Sequence, residues 1–348
     1  MTEIKKPERI WLFDNAKAVL MLLVVLGHMF SSCIGESRAI RMSTLWIYTF
    51  HMPAFVFISG LLHKRNRPDS SLRLDKAVGF LLCGLALRYM NYFLRLLMGQ
   101  HPHPHIIYEA GIPWYLFVMA EYEVFFWLIR KCDAKKVIII ALAASLVCGY
   151  FPWINDNFCF AKFINFMPFY AAGYYLEPAK VAEWTRDKRI RAASWVVMAG
   201  SYALCMAAPW RAYSFRKCFT GRRSYEFLAN ALKPLLGGDA PAYELGWLIR
   251  LACIIFASVL AISVLGILPD RPLGYVSTIG SRTLNVYFWH RIICYAFVQY
   301  NVYALAGSDI VYTAIGFAMT ALLALPVFGH PANDILAWSK KCLQSSRK

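Results

Sequence analysis

Long apolar segments alternate with short polar ones along almost the whole chain. About ten of these segments have the length that a helix needs to cross a bilayer, roughly 20 residues. No internal repeat or low-complexity stretch interrupts them. The pattern predicts an all-α, polytopic integral membrane protein with a single domain over residues 1–348. The predicted spans run approximately over 13–34, 44–63, 77–99, 113–131, 136–153, 162–178, 191–208, 244–269, 283–305 and 311–338.

The first apolar segment, Arg9–Met29, carries two ionisable residues on one helix face. Lys17 and His28 are eleven positions apart. At about 100° per residue they lie on one stripe, about 16 Å apart along the axis. Ionisable groups are costly in hydrocarbon and mark candidate functional sites. A cation near one membrane surface and an imidazole three turns deeper therefore need a common partner or a common cavity.

Composition supports the membrane interpretation. The chain is 59% hydrophobic and 16% charged, with a mean hydropathy of +0.46, which is more apolar than a soluble domain of this length. A net charge of +17 could indicate nucleic-acid binding, but the basic residues form short clusters between apolar segments, as the positive-inside rule expects. Placing both termini in the cytoplasm puts most of these cations on that side, so we expect this orientation.

One segment on the predicted outer side, residues 209–243, breaks the charge pattern. It interleaves aromatic residues with the cations Arg211, Arg216, Lys217, Arg222, Arg223 and Lys233. One interpretation is a solvated loop that contacts lipid headgroups. The alternative is a basic and aromatic lid over an anionic or glycan substrate, since arginine forks onto phosphate and aromatic faces stack on sugar rings.

The second predicted span contains a second histidine. His51 precedes Pro53, which removes a backbone donor and loosens the helix locally. In the predicted topology His51 lies at a depth comparable to that of His28, so the two imidazoles could share one cavity. The alternative is a histidine that bonds a neighbouring carbonyl and has only a structural role.

Further ionisable residues lie within the third and fourth predicted spans. Arg88, Asn91 and Arg95 are on the third span, and Glu121 and Glu123 lie near the middle of the fourth. We expect the carboxylates and guanidinium groups to pair with each other, because they lie at similar depths. Arg95 is also close enough to the outer interface to snorkel.

The ninth predicted span adds a third intramembrane histidine. His290 lies near the middle of this span, with Asn285 before it and Arg291 after it. Adjacent residues do not share a helix face, so Arg291 is expected to point away from the site of His290.

Two outer features receive no catalytic role. The tract His101 to His105 alternates with proline, and without a nearby cysteine or acidic cluster it does not predict a zinc site. Cys159 and Cys218 are the only cysteines placed in outer segments, so a bridge between them is conceivable but is not required by the pattern.

Five strings in the chain resemble a known family pattern. These are DNAKAVLMLLVVLGH, FHMPAFVFISGLL, PWYLFVMAEYE, INFMPFYAAGYYL and IGSRTLNVYFWH. In this order they resemble the membrane acyltransferase 3 family, and most closely its fucose 4-O-acetylase-like branch of sugar O-acetyltransferases. The resemblance extends from residue 9 to about residue 300.

The resemblance implies an enzyme of about ten spans in the plasma or inner membrane. Such enzymes transfer an acyl group, usually acetyl from acetyl-CoA, to hydroxyls of cell-surface or lipid-linked glycans. Acyl-CoA is then a co-substrate, no cofactor is permanently bound, and no nucleic acid is involved. The family signature of a basic residue followed eleven positions later by histidine falls on Lys17 and His28. Partner subunits or glycan-assembly partners are left open.

The resemblance also assigns roles to residues. His28 becomes the general base, because neutral imidazole can take a proton near pH 7, and His51 orients or carries the acyl unit. The family's basic motif after the second span is matched only in part, by Lys64-x-x-Arg67 and Arg73-x-x-Lys76. The donor-binding candidates are Lys17, Arg65, Arg67, Arg73 and Lys76. The polar residues expected to line the cavity are Asp14, Arg88, Asn91, Glu121, Glu123 and His290.

Two other functions fit the same pattern. A transporter or exporter of a glycan or lipid-linked saccharide would use the polar cavity without chemistry. A membrane scaffold would need neither histidine.

Overall fold

The computed structural model describes residues 9–63, 71–102, 111, 113–236 and 241–345. Every regular element in these ranges is a helix, as the hydropathy pattern predicts. The helices are α1 Trp11–Phe30, α2 Arg38–Leu61, α3 Leu74–Leu97, α4 Trp114–Leu128, α5 Ala134–Val147, α6 Phe160–Tyr175, α7 Pro178–Arg186, α8 Lys188–Ala207, α9 Arg216–Phe219, α10 Tyr225–Leu236, α11 Gly246–Ile267, α12 Tyr275–Ser281, α13 Thr283–Gln299, α14 Val302–Ala306, α15 Asp309–Leu323 and α16 Pro331–Ser345.

Five helices within these ranges are long and apolar enough to cross a membrane: α1, α2, α3, α8 and α11. Each of the other five predicted spans contains a shorter helix of 14 to 17 residues. An all-helical chain of membrane character is therefore confirmed. The count of ten spans and the cytoplasmic position of both termini stay predictions.

The tenth predicted span, 311–338, is not one helix. α15 ends at Leu323, a short 3₁₀ turn follows at Pro326–Phe328, and Gly329 has a φ of +62°. α16 then packs along the first half of α3, where the Ser339 hydroxyl donates to the backbone carbonyl of Asp75 over 2.9 Å. Proline and a left-handed glycine end the helix, so the apolar run continues as a separate helix.

The centre of the bundle is built on close backbone contacts between α2 and α6. A Cβ on Gly60 would lie 2.2 Å from the carbonyl oxygen of Tyr170, and one on Gly173 would lie 2.1 Å from that of Phe57. Only residues without a side chain permit this approach. The contact places the second half of α2 firmly against α6.

The first turn of α1 is held by the segment that leads into α12. The buried Asn15 amide donates to the carbonyls of Pro269 and Arg271, each over 2.9 Å, and accepts from the Ser277 hydroxyl. The α12 backbone also meets α1 at Gly280, where a Cβ would lie 1.7 Å from the carbonyl oxygen of Asp14. These contacts fix the register of α1 and hence the position of His28 at its other end.

Candidate active site

A cavity of about 210 Å³ lies where the last turns of α1 meet α2, α6, α9 and α13. Its wall combines histidines, cations and aromatic rings. The described lining residues are His28, Tyr48, His51, Met52, Gly111, Trp114, Lys162, Phe166, Arg216, Phe219, Thr220, Arg222 and Arg291. The structure thus brings His28 and His51 to one cavity, as their equal predicted depth indicated.

His51 has a defined tautomer. It is 4% exposed, and its Nδ1 lies 2.7 Å from the backbone carbonyl oxygen of Ile47. A carbonyl only accepts, so Nδ1 carries the hydrogen and, in the neutral ring, Nε2 presents a lone pair. His51 therefore bonds a neighbouring carbonyl, as one interpretation expected, and also lines the cavity, as the other expected. The hydrogen bond to the carbonyl orients the ring in the cavity wall.

His290 lies directly behind His28. The two ring centroids are 5.4 Å apart, and His290 is fully buried. Its Nδ1 lies 2.7 Å from the carbonyl oxygen of Tyr287, so its Nε2 is also the nitrogen without a hydrogen. This Nε2 is buried and has no hydrogen-bond partner in the described part of the chain.

Four cations line the same cavity: Lys162, Arg216, Arg222 and Arg291. Two of them converge on one buried carboxylate. Asp156, 3% exposed, lies 2.6 Å from the ammonium of Lys162 through Oδ1 and 2.7 Å from the guanidinium of Arg222 through Oδ2. The ion pairs hold these two side chains in place beside the histidines.

The other two cations are packed against aromatic rings. The guanidinium of Arg216 lies 4.8 Å from the ring centroid of Tyr48 and 5.0 Å from that of Tyr213, and Arg291 lies 4.3 Å from that of Tyr295. The expectation that Arg291 points away from the site is wrong. Its side chain is long enough to reach the cavity although its Cα faces another way.

The sequence of the chain also matches a known protein family. A family model described as an acyltransferase domain, that of the acyltransferase 3 family, matches residues 10–329. The chain belongs to this family. Membership indicates a membrane acyltransferase and confirms the resemblance at the level of the family, whereas the fucose 4-O-acetylase-like branch stays a prediction. No curated protein and no solved structure matches the chain.

In this acyltransferase, Lys17 lies far from the histidine cavity. Its ammonium lies 2.8 Å from Asp14 Oδ1, and Arg9 approaches the other oxygen of the same carboxylate at 2.6 Å. Lys17 is three turns before His28, in the half of α1 that α12 holds. The structure therefore places Lys17 and Asp14 at one end of the bundle and the histidines towards the other.

Glu123 does not pair with an arginine of the third span. It is 2% exposed and forms an ion pair with Lys76, and the imidazole of His63 lies 3.6 Å away. His63 also bonds the Tyr170 hydroxyl over 2.6 Å. Glu123 is the tenth residue of the 15-residue α4, and its carboxylate meets the first turn of α3, where Lys76 lies.

Arg88 and Glu121 line a separate cavity of about 660 Å³ between α3, α4 and the start of α6. The wall of this cavity is mainly apolar. The Arg88 guanidinium lies 4.8 Å from the ring centroid of Phe117. Asn91 follows one turn later on α3 and lines neither cavity in the described residues, while Arg95 donates to Gln100 over 2.8 Å. Among the described residues, neither Arg88 nor Arg95 forms an ion pair with Glu121 or Glu123, as had been expected.

Some of the remaining candidate site residues lie within the described part of the acyltransferase, and others lie outside it. Arg73 lies 3.7 Å from Asp75 at the start of α3. Lys64, Arg65 and Arg67 lie outside the described residues, as does most of the His101 to His105 tract. Cys159 and Cys218 are buried and form no disulfide with each other.

Sequence reasoning missed Lys162 and Asp156. Asp156 lies outside the predicted spans and Lys162 lies at the start of one. A charged residue in either position is normally solvated, so it does not indicate a functional site. The sequence does contain one indication of this pair. An acidic and a basic residue six positions apart, at the start of one predicted span, can form an ion pair across a turn. The interpretation of residues 209–243 as a basic lid did include Arg216 and Arg222.

Proposed function

We propose that this protein is a membrane O-acyltransferase that moves an acyl group, most simply acetyl, from cytosolic acyl-CoA to a hydroxyl of a glycan. The observation that carries the proposal is the cavity in which His28 and His51 meet four cations. His290, which was expected to line the cavity, lies behind His28 and does not line it. Family membership supports the acyltransferase class. The acyl-CoA donor, the glycan acceptor and the sugar O-acetyltransferase branch are our inference.

His28 is the proposed general base. No described residue hydrogen-bonds its ring, and the ring is accessible from the cavity. A nitrogen of His28 takes the proton of the glycan hydroxyl while the hydroxyl oxygen bonds to the thioester carbonyl carbon. The C–S bond then breaks, the acyl ester stays on the glycan, and the departing thiolate of CoA receives the proton from His28.

The tautomer of His51 limits its role. With Nδ1–H bonded to the Ile47 carbonyl, a neutral His51 offers a lone pair and no donor to the cavity. It can accept a hydrogen bond from the acceptor hydroxyl, or its Nε2 can itself attack the thioester and carry the acyl group. It cannot stabilise the oxyanion of the tetrahedral intermediate. That role requires a hydrogen-bond donor other than His51, since positioned donors in a dry site stabilise developing negative charge.

The predicted orientation gives the two substrates separate entrances. Lys17, Arg73 and Lys76 lie at the end of the bundle predicted to face the cytoplasm, where they are proposed to contact CoA. The cavity lies towards the opposite end, where the glycan is proposed to enter. The acyl group would cross between them along α1.

The deciding experiment uses membranes that contain the full chain, radiolabelled acetyl-CoA and glycan acceptors from the producing cells. We expect label in the glycan fraction and its loss in His28→Ala. His101→Ala replaces an exposed histidine outside the cavity and should leave transfer unchanged. Transfer that persists in His28→Ala would overturn the assignment of the base. Glycan crossing the membrane without incorporated label would instead favour the transporter.

A further inference from the structure

We propose that the His28 cavity holds an oxyanion subsite, formed by Lys162, Arg216, Arg222 and Arg291, that binds a phosphate or carboxylate group of the acceptor. The proposal rests on the proposed function in that an acceptor enters this cavity. It goes beyond that function by giving the acceptor a negative charge close to the hydroxyl that is acylated.

The first argument is charge. Four cations line a cavity of about 210 Å³, and no described lining residue is an aspartate or glutamate. Asp156 behind the wall pairs with Lys162 and Arg222, whereas Arg216 and Arg291 form no ion pair with a carboxylate of the described residues. Buried cations are costly unless they are paired. A bound anion would supply the compensation that Arg216 and Arg291 do not receive from the described side chains.

The second argument is that two of the cations are already positioned. Lys162 and Arg222 use different oxygens of the Asp156 carboxylate, so both stay beside the cavity in the absence of a ligand. Asp156 and Lys162 are each 3% exposed, which leaves little freedom for rearrangement. Side chains that are ordered in advance lose less entropy when a ligand binds.

The third argument is an unused donor on Arg216. The guanidinium packs against the rings of Tyr48 and Tyr213, but its buried Nε has no hydrogen-bond partner in the described part of the chain. Stacking fixes the plane of the guanidinium, and no described residue accepts a hydrogen bond from its terminal N–H groups either. A planar fork with an available N–H is the geometry that binds phosphate and carboxylate oxygens.

The remaining wall suits a sugar. The ring planes of Trp114 and Phe166 are stacked, with centroids 5.1 Å apart, and Phe219 also lines the cavity. The cations therefore surround an aromatic floor and do not form an exposed basic patch. This combination fits a glycan with an attached anionic group better than a lipid headgroup at the membrane surface.

CoA also carries phosphates, so the source of the oxyanion has to be decided. The four cations belong to the half of the bundle that contains the last turns of α1, whereas the proposed CoA contacts Lys17 and Lys76 lie at the opposite end. Lys17 and His28 are eleven residues apart on α1, which at 1.5 Å per residue separates them by about 16 Å along the axis. Phosphates of CoA bound near Lys17 would not occupy the cavity, so we assign the subsite to the acceptor.

The test is anion binding to the purified full chain by isothermal titration calorimetry. The probes are glucose 1-phosphate, glucuronate, inorganic phosphate and neutral glucose, each titrated with and without saturating coenzyme A. We expect the three anions to bind more tightly than glucose, with coenzyme A leaving their affinity unchanged. Arg216→Gln and Arg222→Gln should each weaken anion binding about tenfold or more, the scale of one lost charge-assisted hydrogen bond.

Matched controls separate this proposal from folding and from catalysis. Arg211→Gln removes an exposed cation in the same segment that does not line the cavity, and it should bind anions like the unaltered protein. His28→Ala should also keep anion binding, even though it is expected to lose acyl transfer. Equal affinity in Arg216→Gln and Arg211→Gln, or no preference for the anions over glucose, would overturn the subsite. Competition by coenzyme A would reassign it to the donor and overturn our assignment to the acceptor.

Discussion

Asp156 provides the sharpest test of how the cavity is built. Its carboxylate holds Lys162 at 2.6 Å and Arg222 at 2.7 Å, and Lys162 is almost completely buried. Asp156→Asn keeps the size and shape of the side chain but removes its charge. The ammonium of Lys162 is then left in a buried position without its compensating carboxylate.

The expected cost follows from that uncompensated charge. Removing one partner of a buried ion pair destabilises a protein by about 3–5 kcal/mol, mainly because the other charge remains buried. Asp156→Asn combined with Lys162→Met removes both charges and should recover much of this loss, since an apolar replacement of a buried pair is often close to neutral. The interaction should therefore be visible as non-additivity in a double-mutant cycle.

Thermal unfolding of the detergent-solubilised protein, followed by tryptophan fluorescence, measures the effect. We expect Asp156→Asn to lower the midpoint by several degrees and the double variant to unfold at a higher temperature than this single variant. Glu177→Gln is the control, because Glu177 and Lys180 form an exposed ion pair, which contributes about 0–1 kcal/mol. An Asp156→Asn midpoint equal to that of Glu177→Gln would refute the assignment of Asp156 as the residue that holds the cations.

Two further predictions concern the first two turns of α1. Lys17→Ala should raise the KM for acetyl-CoA while Lys17→Arg keeps it, because the proposed contact requires only a cation. Lys180→Ala, which replaces an exposed lysine, is the control. An unchanged KM in Lys17→Ala would contradict the role of Lys17 in donor binding. Gly280→Ala should lower the unfolding midpoint, because its Cβ would lie 1.7 Å from the carbonyl oxygen of Asp14 and overpacking costs about 1–3 kcal/mol. Gly200→Ala adds a Cβ with no atom within 4 Å and should be neutral or slightly stabilising; equal midpoints for the two glycine variants would contradict the close contact.

The helices were the most predictable part of the structure, because apolar length and helix period act locally. α1, α3 and α11 begin and end within a few residues of the predicted spans 13–34, 77–99 and 244–269. The division of the last predicted span shows the limit of that reasoning. α15 is strongly apolar and α16 beyond Pro326 is not, so a hydropathy average over 311–338 hides the break that the turn residues indicate.

Residues of the site could be predicted to lie close together where they share one depth in the membrane. Other contacts were less predictable. His28 and His51 were expected to share a cavity because residues at the same depth on neighbouring helices lie side by side. Arg291 was misplaced because it lines the cavity, whereas the preceding residue, His290, which was expected to line it, does not. The partner of Glu123 was missed because hydropathy does not show that the start of α3, with Lys76, packs beside this part of α4.

The three histidines differ in a way that supports His28 as the group that exchanges a proton. His51 and His290 each bond a backbone carbonyl of their own helix through Nδ1, at 2.7 Å in both cases. This bond fixes the tautomer, so in each of these neutral rings only Nε2 can accept a proton. No described residue hydrogen-bonds to His28, which lines the cavity with His290 behind it. A general base must present a nitrogen lone pair to the substrates, and among the described contacts neither nitrogen of His28 is occupied by another residue.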